Sequence, residues 1–166
     1  MVLVIGIDTD GCITDATDMG KTLIKKIVYM LNAPTRLNCV FVLNRLKERH
    51  TLVNITGRRY GSQKGFKGKL MRYFTLRGYK KRGLSFDKVY FSNSENLQKS
   101  KYEYCKEAQV DVMLEDNPET VLYLRSKGIR TIIFDTEYNR HIDGERVKTW
   151  LEFAILLGEI ANKESK

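Results

Sequence analysis

The chain has 166 residues, 42% hydrophobic and 30% charged, a balance that excludes a disordered or low-complexity chain and suits one domain with a real core. No apolar run approaches the roughly 18 residues a membrane span needs, MVLVIGID lacks a basic leader, and Cys12, Cys39 and Cys105 form no Cys-x-x-Cys pair, so a soluble protein of a reducing, cytoplasmic compartment is expected without zinc or disulfides. The net charge of +9 favours phosphate-bearing partners by long-range electrostatics but says nothing about catalysis.

Short apolar runs alternate with segments of helical spacing. The pattern predicts strands at Val2–Ile7, Thr51–Ile55, Lys88–Phe91, Val110–Leu114 and Ile129–Phe134. Helices are expected over Lys21–Leu31, Arg36–Arg49, Lys64–Arg77, Leu97–Ala108, Pro118–Lys127 and Val147–Asn162. The helix from Pro118 is the best marked: Asn117 suits its N-cap, Pro118 its first position, Glu119 its positive end and Gly128 its C-terminal cap. Strands separated by helices specify an α/β fold, a doubly wound, Rossmann-like, mostly parallel five-stranded sheet with helices on both faces. No repeat or linker divides the chain, so residues 1–166 are expected to form a single domain.

Open parallel sheets place their sites outside the carboxyl ends of the strands, so the residues just after each apolar run matter most. They are Asp8, Thr9, Asp10 and Gly11 after the first strand, Thr56, Gly57 and Arg58 after the second, and Glu115, Asp116 and Asn117 after the fourth. Asp8 and Asp10, two apart, point to one side of an extended backbone. Such crowded carboxylates repel unless a cation lies among them, and magnesium suits a site of few carboxylates, waters and a phosphate.

The run from Val4 to Gly11 resembles the first motif of the haloacid dehalogenase superfamily, an apolar strand followed by Asp-x-Asp-Gly. Ile55–Arg58 is similar to its second motif and Glu115–Asp116 to its fourth; Lys101 is the best-placed lysine for the third, with Lys99 two residues away as the alternative. Further on, Phe134–Arg140 and Arg146–Trp150 resemble the nucleotidase-like branch that includes the deoxyribonucleotidases. The resemblance implies a magnesium-dependent phosphohydrolase in which Asp8 forms an aspartyl-phosphate and Asp10 serves as acid and then base. It further implies that Thr56, Gly57, Arg58 and Lys101 hold the phosphoryl group, and that Asp8, the Asp10 carbonyl and Asp116 hold Mg2+, with Glu115 behind them. A (deoxy)nucleoside monophosphate is the expected substrate, and the alternatives are a phosphorylated polynucleotide end and a non-catalytic phospho-acceptor or nucleic-acid-binding protein.

Substrate choice in such proteins lies in cap insertions. Residues 12–35 leave room for one helix and loops, so a minimal cap and an open site are expected. A second, basic insertion spans about 59–87, whose only acid is Asp87 and whose Lys and Arg alternate with Tyr60, Phe66, Tyr73, Phe74, Tyr79 and Phe86. Nucleic acid could run along this segment, 58–88, although a solvated cationic helix whose aromatics pack on the sheet has the same pattern.

Overall fold

A computed structural model describes residues 1–15, 22–58 and 60–163. Six strands alternate with helices: β1 Val4–Ile7, α1 Leu23–Asn32, α2 Cys39–Lys47, β2 Thr51–Thr56, α3 Phe66–Lys81, β3 Lys88–Phe91, α4 Leu97–Glu107, β4 Val112–Glu115, α5 Pro118–Ser126, β5 Arg130–Phe134, β6 Arg146–Val147 and α6 Trp150–Lys163. The sheet runs β3-β2-β1-β4-β5-β6, and every pairing is parallel. The expected five strands become six because Arg146–Val147 adds beside β5, and two residues are too few to show a period. For the same reason the last helix begins at Trp150 rather than Val147. Lys21, expected to open α1, lies outside the described residues. Among the described residues no helix is long and apolar enough to cross a membrane.

Alternation along the strands divides the core. Ile5, Ile7, Leu52, Leu114, Ile132 and Phe134 face α2 and α6, meeting Val42, Leu43, Phe153 and Leu157. Val53, Ile55 and Met113 face α4 and α5, where Cys105 and Leu124 cover them. Gly6 sits opposite Met113, and a β-carbon there would come within 2.6 Å of its sulfur, so a side chain at this position would have to displace the thioether.

Strand order reverses between β1 and β4. Chain connections leave in opposite directions there, opening a crevice outside the carboxyl ends of the two strands. The register closes it: Ile7 pairs with Leu114, and the Asp8 amide donates to the Leu114 carbonyl at 3.0 Å. The residues after β1 are held from below by Trp150. Its indole is fully buried and its Nε1–H donates to the Cys12 carbonyl at 3.0 Å.

Trp150→Ala should therefore cost about 3–5 kcal/mol in urea unfolding through the cavity it leaves. Trp150→Phe should cost less, about 1–3 kcal/mol, since it mainly strands the Cys12 carbonyl.

Candidate active site

The turn after β1 is built by its own backbone. Ile13 and Thr14 donate to the Thr9 carbonyl at 2.9 and 3.1 Å, and Gly11 donates to Thr14 at 2.7 Å. Gly11 has φ +105°, and a β-carbon there would occupy the space of the Asp116 carboxylate. Glycine is thus required twice, for its backbone angle and for the approach of β4's acid.

Asp8 and Asp10 do not share a partner. Asp8 accepts from the Lys101 ammonium at 2.6 Å, whereas Asp10 is gripped through both carboxylate oxygens by Arg58, at 3.0 and 2.9 Å. Lys101 comes from the second turn of α4, is almost wholly buried, and also donates to Glu115 at 2.5 Å. Lys99 is exposed, because two residues along a helix turn the side chain to the opposite side. The other oxygen of Glu115 accepts the backbone amides of Asp116 and Asn117, each at 3.0 Å. Glu115 therefore ties the lysine to the start of α5, whose N-cap is Asn117.

Thr56 ends β2 with its hydroxyl buried and without a hydrogen-bond partner, an orphaned group of the kind that a phosphoryl oxygen would satisfy. Gly57 lies against Leu97 of α4, where a β-carbon would meet a methyl at 2.7 Å. Arg58 lines the same cavity of about 310 Å³ as Asp8, Asp10, Lys101 and Asp116. Its guanidinium binds Asp10 and donates to the Thr75 hydroxyl at 3.2 Å. Thr14 adds a further donor to Asp10 at 3.2 Å and is itself held by the Tyr29 hydroxyl of α1 at 3.1 Å.

Three participants lie outside the residues singled out for the site. Tyr138 lines the cavity and its hydroxyl donates to Asp116. Asn139 is buried and donates to the carbonyls of Asp116 and Phe134, at 2.8 Å each. Thr14 completes the shell of Asp10. Only the nucleotidase-like run at Phe134–Arg140 pointed to the first two, and nothing local pointed to Thr14.

Burial and the charges of Glu115 and Asp10 push the Asp8 carboxyl up to about 7 against the pull of Lys101. Burial, then Glu115 and Asp8, push Asp116 up to about 9. Burial would raise Asp10 as well, but the charge and hydrogen bonds of Arg58 prevail and hold it below the ordinary carboxylate range. Lys101 is held firmly protonated by Asp8 and Glu115 in spite of its burial. Four carboxylates thus face two cations, a deficit of two positive charges at Asp8 and Asp116. Ligand atoms of Asp8, Asp116 and Cys12 lie within 4.8 Å of one another. Burial and the neighbouring acids keep the Cys12 thiol protonated, leaving hard carboxylate oxygens as donors, and this chemistry fits magnesium.

A family profile described as 5' nucleotidase, deoxy (pyrimidine), cytosolic type C protein (NT5C) matches residues 95–163. That stretch holds Lys101, Glu115, Asp116 and Tyr138 but not Asp8 or Thr56. A provisionally named 5'(3')-deoxyribonucleotidase of Chlorobaculum tepidum is 45% identical over 40 residues, 24% of this chain and 20% of that protein; the chain thus matches about a fifth of the curated relative's length. A haloacid dehalogenase-like hydrolase of Streptococcus pneumoniae superposes with a TM-score of 0.65 at 14% identity, over 94% of this chain and 98% of its own. D,D-heptose 1,7-bisphosphate phosphatase of Burkholderia thailandensis gives 0.62 at 13%, over 93% and 97%. A chain of the Pnkp1/Rnl/Hen1 RNA repair complex gives 0.60 at 15%, over 80% and 42%. At these identities the structures establish the haloacid dehalogenase-like fold.

The two raised carboxyls make stability depend on pH and on metal together. Without a divalent cation the folded protein retains protons on Asp8 and Asp116 that the unfolded chain releases from 3.8 upward. These two groups therefore lower stability as pH rises from about 4 toward 9. Mg2+ should raise Tm more at pH 8.5 than at pH 5, each pH compared with and without the ion in thermal melts. An equal shift at both would contradict the assignment.

Proposed function

We propose, from the haloacid dehalogenase-like fold and the nucleotidase profile matched over 95–163, that this chain is a phosphomonoesterase that removes phosphate from a nucleotide through an aspartyl-phosphate on Asp8. The observation that carries this reading is the buried arrangement in which Lys101 contacts Asp8 at 2.6 Å while Asp10, two residues on, is held separately by Arg58. One acid is thereby free to attack phosphorus, and the other stays available for proton transfer.

Asp8 attacks phosphorus, the bond to the leaving oxygen breaks, and Asp10 delivers a proton to that oxygen. Asp10 then takes a proton from the water that attacks the aspartyl-phosphate, and phosphate leaves with Asp8 restored. Lys101 offsets charge on Asp8 and on the phosphoryl oxygens as a point charge. The Thr56 hydroxyl and the Gly57 amide are the proposed ligands of a phosphoryl oxygen. Asp8, the Asp10 carbonyl and Asp116 would hold Mg2+, which would supply further neutralisation of the phosphoryl charge. Arg58 favours the deprotonated, basic form of Asp10 and opposes the acid form, so the leaving oxygen must compete with Arg58 for that carboxylate.

Asp8→Asn should reduce Mg2+-dependent hydrolysis of an aryl phosphate to background, with circular dichroism unchanged. Asp10→Asn should lower it by about 10²–10⁴-fold and leave hydroxylamine-labile phosphate on the protein. A stable phosphoprotein in the unaltered chain, with no phosphate released, would replace this reading with that of a phospho-acceptor.

A further inference from the structure

The net charge of this protein is concentrated in one place. Residues 22–32 and 60–81 contain nine Lys and Arg and no Asp or Glu; the other twenty bases are matched by the chain's twenty acids. These residues are α1, α3 and the turn that leads into α3. Among the described residues none of the nine is in a salt bridge. The contacts they do make are with neutral groups: Lys26 and Lys67 lie over the Tyr60 ring at 5.9 and 5.8 Å, and Arg77 donates to the Tyr73 hydroxyl at 3.2 Å. Among the described residues their charge is therefore not cancelled by an ion pair.

The N-terminal ends of these helices bring part of that charge past the edge that carries Asp8 and Asp10. On α3, the Tyr79 hydroxyl meets Asn54 inside β2 at 2.9 Å, while Thr75, one turn earlier, meets Arg58 beyond the end of β2. Going backward along α3 thus moves outward past the sheet edge. Phe66–Phe74 extend the helix by about 13 Å beyond the level of Asp10 at ~1.5 Å per residue. α1 runs alongside in the same direction, with Met30 against Thr75 and Ala33 against Arg82. The two helices form a wall standing above Asp8 and Asp10, and the minimal cap expected from residues 12–35 is only half of it.

Phe66, Lys69 and Tyr73 follow helical spacing on the outer face of this projecting part of α3, opposite Met71 and Thr75, and all three are exposed, with Phe66 at 77% and Tyr73 at 55%. Large exposed aromatics interleaved with cations suit a single strand, whose phosphates meet the charges and whose bases stack on the rings. A mononucleotide bound at Asp8 would leave most of this wall bare.

Resting on the phosphatase reading above, we infer that the phosphate removed is the terminal phosphate of a nucleic-acid strand, and that the α1/α3 wall binds the nucleotides behind it. Mg2+-dependent turnover of a terminally phosphorylated decanucleotide, of the matching mononucleotide and of an aryl phosphate should be compared over a salt series. The oligonucleotide should exceed the mononucleotide in kcat/KM by about tenfold or more at low salt, falling with a log–log slope of about −0.7 per phosphate contacted. Lys26→Gln with Lys67→Gln should flatten that slope by about 1.4, and Phe66→Ala with Tyr73→Ala should raise KM for the oligonucleotide. Aryl phosphate turnover should change less than twofold in both variants, because these residues lie beyond the phosphoryl cavity. Equal turnover of oligonucleotide and mononucleotide at every salt, or preference for a phosphopeptide or an anionic phospholipid vesicle, would overturn the inference. If no phosphate is released from any substrate, the phosphatase reading fails by itself. Fluorescence anisotropy of the labelled decanucleotide with the unaltered chain then decides the wall: salt-sensitive binding supports its role, and no binding overturns it.

Discussion

The Lys101 ammonium, buried between Asp8 and Glu115, is the interaction on which the rest of the site depends. Two carboxylates from adjacent strands would repel in this low-dielectric crevice, and the lysine lets both remain close to the sheet edge. A buried cation is costly unless its partners are well arranged. Here they are, because Glu115 is itself fixed by two backbone amides at the start of α5. The lysine thus joins β1, β4, α4 and α5 at one point. Leu97 of the same helix packs against Gly57, so the segment after β2 is drawn to that point as well.

A second network stands across from it. Arg58 and Thr14 hold Asp10, Thr75 holds Arg58, and Tyr29 holds Thr14. Tyr29 belongs to α1 and Thr75 to α3, so the two helices that form the cationic wall also position the proposed acid–base group. The opposite side of the crevice is closed by Tyr138 and by Asn139, which anchors the chain after β5 to Asp116.

Much of this was readable along the chain. Asp8, Thr56 and Asp116 follow apolar runs, and parallel sheets place strand ends on one edge, so their grouping followed from strand order alone. The α5 cap was legible because its cues are local: Asn117, Pro118 and Glu119 in succession. β6 escaped notice because two residues carry no periodicity, and the aromatics of the basic segment divided unexpectedly. Tyr79 is buried on the core side as anticipated, whereas Phe66 and Tyr73 face outward, since they lie on the side of α3 opposite Met71, Thr75 and Tyr79.

By itself the sequence determined the α/β class, the order of strands and helices, the acids at the carboxyl edge and the total charge. These are properties of runs, caps and counts, which neighbouring residues specify. Tertiary structure decided which partner each charged group took. Arg58 took Asp10; Lys101 rather than Lys99 reached Asp8; Tyr138 came to Asp116 from 22 residues away. It also decided where the excess charge lies, because the N-terminal parts of α1 and α3 run side by side past the sheet edge while Lys80 and Lys81 stay beside the sheet. Ion pairing and helix projection depend on distances between segments remote in the chain, and no local pattern encodes those distances.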